Sequence, residues 1–375
     1  MKKIEKSIMV HFKGIQDIRQ EVKIKHSLLE VIFITLVCTI AGCDDWHEIE
    51  FFAKERVEWF KKYLELPYGI PSHDTLERIF KWINPKQFEK CFVNWIKEFK
   101  ELKNRQVIAI DGKTARGSAD KGIGKSAIHM VSAWASENNL ILGQVKTSEK
   151  SNEITAIPEL LDLINIKDNI ITIDAMGTQK DIAKKIVDGK SDYVLALKEN
   201  QATLYADVKD YFDFAFKENF KEIDCKFYET LDKGHGRIEK RQYYLMNDIS
   251  WLDNREKWAG LKGIGMVLSK VKIGEKESIE ARYYITSLNG TADEFGKSVR
   301  NHWGVESMHW MLDVVFREDK NVVRKEYAPQ NLAVLRRMAL NILKKDTSLK
   351  KSLKIKRLKA ALNLDYLTQI VFDLD

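Results

Sequence analysis

The first part of the chain has the hydrophobic pattern of packed helices. Residues 28–42 are its most apolar stretch, but they include Glu30 and are shorter than the roughly 20 residues that span a bilayer. They therefore predict a buried helix. Apolar and aromatic side chains then recur at spacings of three and four through 47–64, and again after Ser72 and Pro85, which predicts further helices.

Two functions fit this helical region, which we expect to form a domain of residues 1–100. Short helices with a tight break between them resemble a DNA-reading helix-turn-helix. A small helical bundle that packs or dimerises has the same pattern. We favour the bundle because aromatic and apolar residues dominate these helices, and no dense basic cluster marks a recognition helix.

The pattern changes near residue 105 from helical spacing to short apolar runs bounded by turn residues. Three successive runs are typical of antiparallel strands, and the later runs alternate between helical and strand patterns. This order predicts an α/β fold with a ribonuclease-H-like catalytic core. Strands are expected at 107–111, 127–135 and 139–146, a helix at 154–164, a strand at 170–174, a helix at 178–187 and a strand at 193–197.

The predicted catalytic domain, residues 105–345, contains a second strand-rich region. Residues 222–290 favour a β-rich insertion inside the α/β core, and a helical pattern returns from Asp293. The remaining residues, 346–375, predict a basic helical tail. Two interpretations of that tail stay open, a solvated helix face and a surface that contacts phosphate.

Composition limits the class of protein and its compartment. The 375 residues are 44% hydrophobic and 31% charged, with a formal charge of +7, which suits a soluble globular protein and permits a polyanionic partner. The four cysteines form no CxxC pair, and this favours reduced, buried thiols. The N-terminus has no secretory cleavage pattern, so we expect a cytoplasmic protein without a membrane partner.

Two aspartates follow apolar strands that the expected fold makes neighbours. Asp111 ends the run Val-Ile-Ala-Ile-Asp, and Asp174 ends Ile-Ile-Thr-Ile-Asp. A single aspartate at a strand end is usually a turn residue, but strands one and four lie side by side in a ribonuclease-H-like sheet. Glu306, in a later helical segment, is placed to face them. Such hard oxygen ligands hold two divalent metals over a phosphodiester.

Basic residues near the same strand ends are candidates for phosphate contact. Lys113 and Arg116 follow Asp111 closely, and Lys198 follows the strand at 193–197. The segment Gly-His-Gly-Arg-Ile-Glu is a turn by default, yet His235 and Arg237 within it also suit DNA contact or proton transfer. We therefore expect these five side chains to bind DNA.

Two histidines and two tryptophans surround Glu306. His302 and His309 are seven residues apart, but a zinc site is disfavoured because no cysteine or third clear ligand lies nearby. Trp303 and Trp310 more often pack in a core than stack on a base, so we expect them to be structural.

Several long motifs, in one order, carry a family resemblance. The chain resembles, from about residue 24 to 345, the transposases of the ISAs-type bacterial insertion sequences, including the H-repeat-associated proteins. The motifs are Gly-Ile-Pro-Ser-His-Asp-Thr at 69–75, Ala-Ile-Asp-Gly-Lys-Thr-Ala-Arg-Gly-Ser at 109–118, Ile-Asp-Ala-Met-Gly-Thr-Gln at 173–179, Leu-Lys-Glu-Asn-Gln at 197–201, Gly-His-Gly-Arg-Ile-Glu at 234–239, the block from His302 to Asp319, and Ala-Pro-Gln-Asn-Leu-Ala-Val-Leu-Arg-Arg at 328–337.

The resemblance implies a DDE transposase whose catalytic and metal-binding triad is Asp111, Asp174 and Glu306. It implies a helical N-terminal domain and cutting and joining of transposon ends with Mg²⁺, for which Mn²⁺ is a substitute. The expected partner is double-stranded DNA, bound by a homodimer. The late motif reads Val-Glu-Ser where the family usually has Ile-Glu-Asn, so Glu318 and Asp319 stay open as alternatives to Glu306.

Two other functions are compatible with the same residues. One is a metal-dependent DNA nuclease that cuts without strand transfer. The other is a catalytically decayed relative that only occupies DNA ends, although the intact acidic residues argue against it.

Overall fold

The computed structural model describes residues 8–98, 105–148, 153–234 and 236–372. Its helices are α1 (Leu28–Ile40), α2 (Trp46–Glu55), α3 (Val57–Phe60), α4 (His73–Phe80), α5 (Pro85–Lys97), α6 (Glu153–Leu163), α7 (Lys180–Asp188), α8 (Ala202–Lys217), α9 (Ala292–Val314), α10 (Ala328–Lys345), α11 (Leu353–Leu362) and α12 (Leu364–Phe372). Its strands are β1 (Val107–Ala115), β2 (Ile128–Ala135), β3 (Leu140–Lys146), β4 (Ile170–Ile173), β5 (Asp192–Leu197), β6 (Lys226–Gly234), β7 (Arg237–Met246), β8 (Gly263–Ile273) and β9 (Lys276–Thr286).

A single mixed sheet forms the centre of the described part of the chain. Its strand order is β3-β2-β1-β4-β5-β9-β8-β7-β6. Strands β1, β4 and β5 are parallel, and the other pairs are antiparallel. Ile110 pairs with Ile173, so the prediction that the strands of the two aspartates are neighbours is confirmed. The protein therefore has a mixed α/β architecture.

The strand that carries Asp111 is longer than its sequence pattern predicted. We expected it to end at Asp111, but β1 continues to Ala115 and stays paired with β2 as far as Ile128. The extension is polar because it lies beyond the end of β4, where the sheet no longer continues on that side. Asp111 thus lies inside a strand, one residue past its last parallel pair.

The four strands β6 to β9 extend the same sheet instead of forming a separate layer. Strand β9 pairs antiparallel with β5, from Val194 opposite Thr286 to Leu197 opposite Tyr283. The inner halves of β8 and β9 are buried and α8 and α9 pack against this part of the sheet, whereas β6 has no buried residue and the outer half of β9 is exposed. The extension projects past the carboxylate-bearing strands as a pair of long hairpins.

The N-terminal helices share a hydrophobic core with this sheet. Helix α1 is buried along almost its whole length and packs against α2 and α10, and α5 packs against β3. Ser27 and Glu30 form a capping box at the start of α1, and Ser72 and Asn84 cap α4 and α5. The helix starts predicted at Ser72 and Pro85 are confirmed.

Two cations of the C-terminal tail are buried, which neither interpretation of the tail predicted. Arg357 donates hydrogen bonds to the backbone oxygen of Thr39 and lies 2.8 Å from an Asp44 carboxylate oxygen. Lys356 donates to the backbone oxygen of Leu343 at 2.9 Å and pairs with Asp346 at 3.2 Å. These cations join α11 to the body of the protein because they donate hydrogen bonds to carbonyl groups near the C-terminal ends of α1 and α10.

Three of the four cysteines, Cys38, Cys43 and Cys91, are buried, and all four are unpaired, as expected. Among the helices of the described ranges, none has the length and apolar character needed to cross a membrane.

Candidate active site

Asp111 and Asp174 lie side by side because β1 and β4 are adjacent parallel strands. Their preceding residues, Ile110 and Ile173, are a registered pair. Asp174 follows the last residue of β4, and its carboxylate accepts a hydrogen bond from the backbone of Gly177 at 3.2 Å. The sheet therefore fixes the separation of the two aspartates through its backbone.

Helix α9 brings Glu306 to the same place. The helix is capped by Thr291 and packs against β1 and β4. Glu306 is solvent-exposed, and it lines one open cleft of about 930 Å³ together with Asp111 and Asp174. The structure thus brings all three predicted carboxylates to one cleft, although they are separated by up to 195 positions in the sequence.

The cleft has an excess of negative charge around Asp111. Burial raises the pKa of Asp111 to about 7, and repulsion from Glu153, Asp174 and Glu306 adds to the increase. Burial also raises the pKa of Asp174, again with repulsion from Glu153, and the Lys198 cation partly offsets it. A cleft of this kind is stabilised when a cation enters it.

The donor chemistry of the cleft suits a divalent metal ion with a preference for oxygen ligands. Its candidate ligands are carboxylates, the hard donors that Mg²⁺ and Mn²⁺ select. Within the described ranges, no three histidine, cysteine, aspartate or glutamate side chains are already gathered at metal-binding distance. The fit therefore rests on donor type and on the unbalanced charge at Asp111.

A fourth carboxylate close to Asp111 and Asp174, that of Glu153, was missed in the sequence. Glu153 is the first residue of α6, and its carboxylate forms a hydrogen bond with Nε2 of His129 at 2.8 Å. The sequence pattern placed the start of this helix at residue 154, so Glu153 fell outside it. Strand β3 runs in the same direction as β1 and β4, so a helix that follows β3 begins at the sheet edge where β4 ends. This topology is the sequence signal that points to Glu153.

Lys113 does not have the free ammonium group that phosphate contact requires. Its side chain is 7% exposed, and Nζ lies 2.7 Å from Asp313, 3.0 Å from Asp319 and 3.4 Å from Glu318. The sequence prediction failed here because β1 continues past Asp111 and turns this lysine toward the segment after α9. Lys113 anchors that segment to the sheet.

The other predicted DNA contacts are placed differently from one another. Arg116 is 83% exposed, near Asp319, and Lys198 lines the cleft beside Asp174. Arg237 lies further away on β7, where it pairs with Glu239 at 2.8 Å. His235 lies outside the described residues.

The two alternatives to Glu306 have other roles in the structure. Glu318 is almost completely buried and pairs with Arg337 at 2.9 Å. Asp319 accepts hydrogen bonds from Lys113 and from the backbone of Arg116. Both side chains hold the turn after α9, and neither lines the cleft that Asp111 and Asp174 share.

The histidines that flank Glu306 are tied to the aspartate strands. His302 Nδ1 lies 2.9 Å from the Thr172 hydroxyl, and His309 Nδ1 lies 3.5 Å from Asp111. Burial lowers the pKa of His302 to about 4, so its ring is neutral at physiological pH. Burial lowers the pKa of His309 to about 3, with a further contribution from the nearby cation Arg337.

The tryptophans of α9 are on the surface, contrary to the prediction that they pack in a core. Trp310 is 61% exposed and Trp303 is 37% exposed. The centroid of the Trp303 ring lies 5.7 Å from Cζ of Arg282 and 5.6 Å from Cζ of Arg300, at cation–π distance. The general tendency of tryptophan to pack in a core failed as a guide here, because α9 lines the cleft on the side that carries Trp303.

The family of the chain follows from comparison with known sequences. Residues 102–342 match the family described as "Transposase DDE domain", and residues 9–96 match one described as "DDE_Tnp_1-associated". The first match covers more than half of the 375 residues. The chain belongs to the DDE-domain transposase family, in its H-repeat-associated group.

Individual relatives match along nearly the whole chain. A protein named "Putative transposase YncI", from Escherichia coli O157:H7, is 45% identical over 97% of this chain and 94% of its own length. The "H repeat-associated putative transposase YhhI" of Escherichia coli K12 is 40% identical over 98% of both chains. A solved synaptic complex of piggyBac transposase with hairpin DNA aligns with a TM-score of 0.43 and 11% identity, over 98% of this chain and 79% of that one.

Proposed function

We propose that this protein is the DNA transposase of an insertion sequence, which cuts transposon ends and joins them to target DNA. The observation that carries the proposal is the shared cleft of Asp111, Asp174 and Glu306, two from adjacent parallel strands and one from a helix packed on them. We read the order β3-β2-β1-β4-β5 as a ribonuclease-H-like core, extended by β6 to β9. The membership of the DDE family supports both statements.

In this proposal the three carboxylates hold divalent metal, Mg²⁺ or Mn²⁺. When bound, two such ions lower the pKa of water and neutralise charge on a scissile phosphate. The sheet fixes Asp111 and Asp174, so their spacing needs no rearrangement of the backbone. Glu306 is exposed on its helix and has freedom to adjust its position.

The surroundings of the triad orient it and bind DNA. His309 contacts Asp111 and is held neutral by burial, so it positions the carboxylate without cancelling its charge. Lys198 lies in the cleft beside Asp174 and Arg116 is exposed at the end of β1, where both suit phosphate contact. Arg237 lies in the hairpin extension and is proposed to contact DNA further from the scissile bond, and His235 is likewise proposed to contact DNA.

The test is cleavage and joining of the element's own ends by the purified full-length chain with Mg²⁺. Asp111→Asn and Asp174→Asn are each expected to lose at least about 100-fold in rate, because charge stabilisation at a phosphoryl centre is commonly worth that much. Asp181→Asn is the matched control, since Asp181 is an exposed aspartate in the first turn of α7. Full activity of either cleft variant would sink the assignment.

The products of that reaction separate the remaining functions. Strands joined to target DNA identify a transposase, whereas cut ends without joining identify a nuclease. End binding without cleavage, unchanged by Mg²⁺, identifies a catalytically decayed relative. Glu306→Gln tests the third carboxylate separately: it is expected to stay folded and lose cleavage, whereas Glu318→Gln is expected to lose stability.

A further inference from the structure

A hydrogen-bonded chain of three side chains ends at Glu153, an electrostatic neighbour of Asp111 and Asp174. The Thr114 hydroxyl lies 2.8 Å from Nδ1 of His129, and Nε2 of His129 lies 2.8 Å from Oε1 of Glu153. Thr114 and His129 are directly opposed on β1 and β2. Because both ring nitrogens are engaged, His129 has one orientation, and it holds Glu153 in one position.

The place that Glu153 occupies exists because residue 112 is a glycine. A Cβ atom added at Gly112 would overlap both the Glu153 carboxylate and the ring of His129. Gly112 follows Asp111 in β1, and its backbone conformation is ordinary for a strand, so the turn geometry does not require glycine here. The missing side chain is what lets the carboxylate of α6 approach the strand.

The electrostatics place Glu153 with the catalytic carboxylates. Its side chain is 13% exposed. Among the charged neighbours of Asp111, and also among those of Asp174, Glu153 gives the largest repulsion. A glutamate that only stabilised the positive end of α6 would gain the same helix interaction from a fully exposed position.

We propose that Glu153 is a fourth carboxylate of the active site, positioned by His129 and Thr114, and that it strengthens the binding of the divalent ion. This inference rests on the proposed function. The ion it would help to bind is an oxygen-preferring divalent cation, and Mn²⁺ serves as the probe.

The experiment is direct titration of Mn²⁺ into the full-length chain without DNA, by calorimetry or by the paramagnetic effect of Mn²⁺ on water relaxation. Glu153→Gln keeps the size of the side chain and an oxygen for His129. We expect it to weaken Mn²⁺ binding by at least about tenfold. Glu159→Gln is the control, because Glu159 lies on the same helix, is 56% exposed and pairs with Lys86. It is expected to bind Mn²⁺ as the unaltered chain does.

A second variant tests position without removing charge. Gly112→Ala leaves Glu153 intact but displaces it, so Mn²⁺ binding is again expected to weaken. Unfolding midpoints of all variants, measured in the same buffer, show whether a loss of Mn²⁺ binding comes from unfolding of the variant.

The outcomes distinguish this inference from the proposed function. If Asp174→Asn loses Mn²⁺ binding while Glu153→Gln and Gly112→Ala retain it unchanged, Glu153 is structural and the inference is overturned. If the unaltered chain binds no Mn²⁺, the proposed function and the inference are both overturned.

Discussion

Nη1 of Arg337 lies 2.9 Å from Oε1 of Glu318, and both side chains are almost completely buried. Burial alone would raise the pKa of Glu318, but the cations of Arg337, Arg336 and Lys113 hold it at about 2. The pair joins α10 to the turn after α9, and Lys113 continues the network into β1. Glu306 is therefore presented by a helix whose far end is anchored by buried charge.

Removing one member of this pair should destabilise the protein strongly. Arg337→Met leaves the buried Glu318 carboxylate without its main partner, and we expect a loss of about 3–5 kcal/mol in the free energy of unfolding. The measurement is urea denaturation at pH 7. The double variant Arg337→Met with Glu318→Gln should recover part of the loss, because no buried charge remains uncompensated. A double variant less stable than Arg337→Met would contradict this account.

Replacing Asp111 should stabilise the metal-free protein at high pH. The pKa of Asp111 is raised to about 7 in the folded chain, against an ordinary value of 3.8. The folded state thus takes up a proton between about pH 7 and pH 4 that the unfolded state does not, and the wild type gains stability as the pH falls through this window. Asp111→Asn has no charge to bury at this position. At pH 8 its free energy of unfolding is therefore expected to exceed that of the wild type by on the order of 1–3 kcal/mol.

The measurement for this prediction is denaturation of both chains at pH 8 and pH 4.5 with a chelator present. The advantage of Asp111→Asn should shrink at the lower pH. Added Mg²⁺ should stabilise the wild type more than the variant. The exposed control Asp181→Asn should show neither effect. An advantage that grew as the pH fell would have the wrong sign.

Substitution of Arg116 should weaken DNA binding with little effect on stability, whereas substitution of Lys113 should lower stability. Arg116→Gln removes an 83% exposed cation, so we expect weaker DNA binding and a salt-dependence slope reduced by about one, with little change in stability. Lys113→Met removes a cation with three carboxylate neighbours and should lower stability by about 2–4 kcal/mol. Fluorescence anisotropy at several salt concentrations and urea denaturation check the two halves.

Arg357 should hold the C-terminal helices α11 and α12 against the rest of the protein. Arg357→Met removes the hydrogen bond to the Thr39 carbonyl and the buried cation beside the Asp44 carboxylate, and we expect a loss of about 2–4 kcal/mol in the free energy of unfolding. Lys354→Met, an exposed change on the same helix, should be nearly neutral. Hydrogen exchange should show α11 and α12 opening more readily in the Arg357 variant only. Equal effects of the two substitutions would argue that the tail is held by its apolar face.

Alternating and helical patterns of hydrophobic residues predicted most strands and helices. The burial of one face of an element leaves such a pattern in the local sequence. The strands predicted at 127–135 and 139–146 differ from β2 and β3 by one residue at their starts, and the helix predicted after Ser72 and the one at Pro85 start as expected. Burial patterns also led to Asp111 and Asp174, since an apolar run that stops at a carboxylate marks the edge of a buried sheet. The extension of β1 to Ala115 was missed because Lys113 and Thr114 interrupt the apolar run, and only the pairing with β2 reveals it.

The side chains that were misjudged depend on contacts far apart in sequence. Lys113 looks like a phosphate ligand beside Asp111, but its partners lie 200 to 206 residues later. Glu153 carries no motif of its own, and only the packing of α6 brings it close to Asp111 and Asp174. Arg357 sits in a run of exposed basic residues and is distinguished from them by the carbonyl of Thr39. Charge alone does not reveal whether a cation faces solvent or the interior.

Shortening the chain between β5 and α9 is constrained by the backbone pairing of β5 with β9. Excision of residues 226–286 would leave β5, with buried Val194 and Leu195, as an open sheet edge. Unpaired backbone groups on such an edge recruit strands from other molecules, so the trimmed protein would self-associate. A shortened version of this protein that avoids self-association must keep β9, together with the strand that covers it.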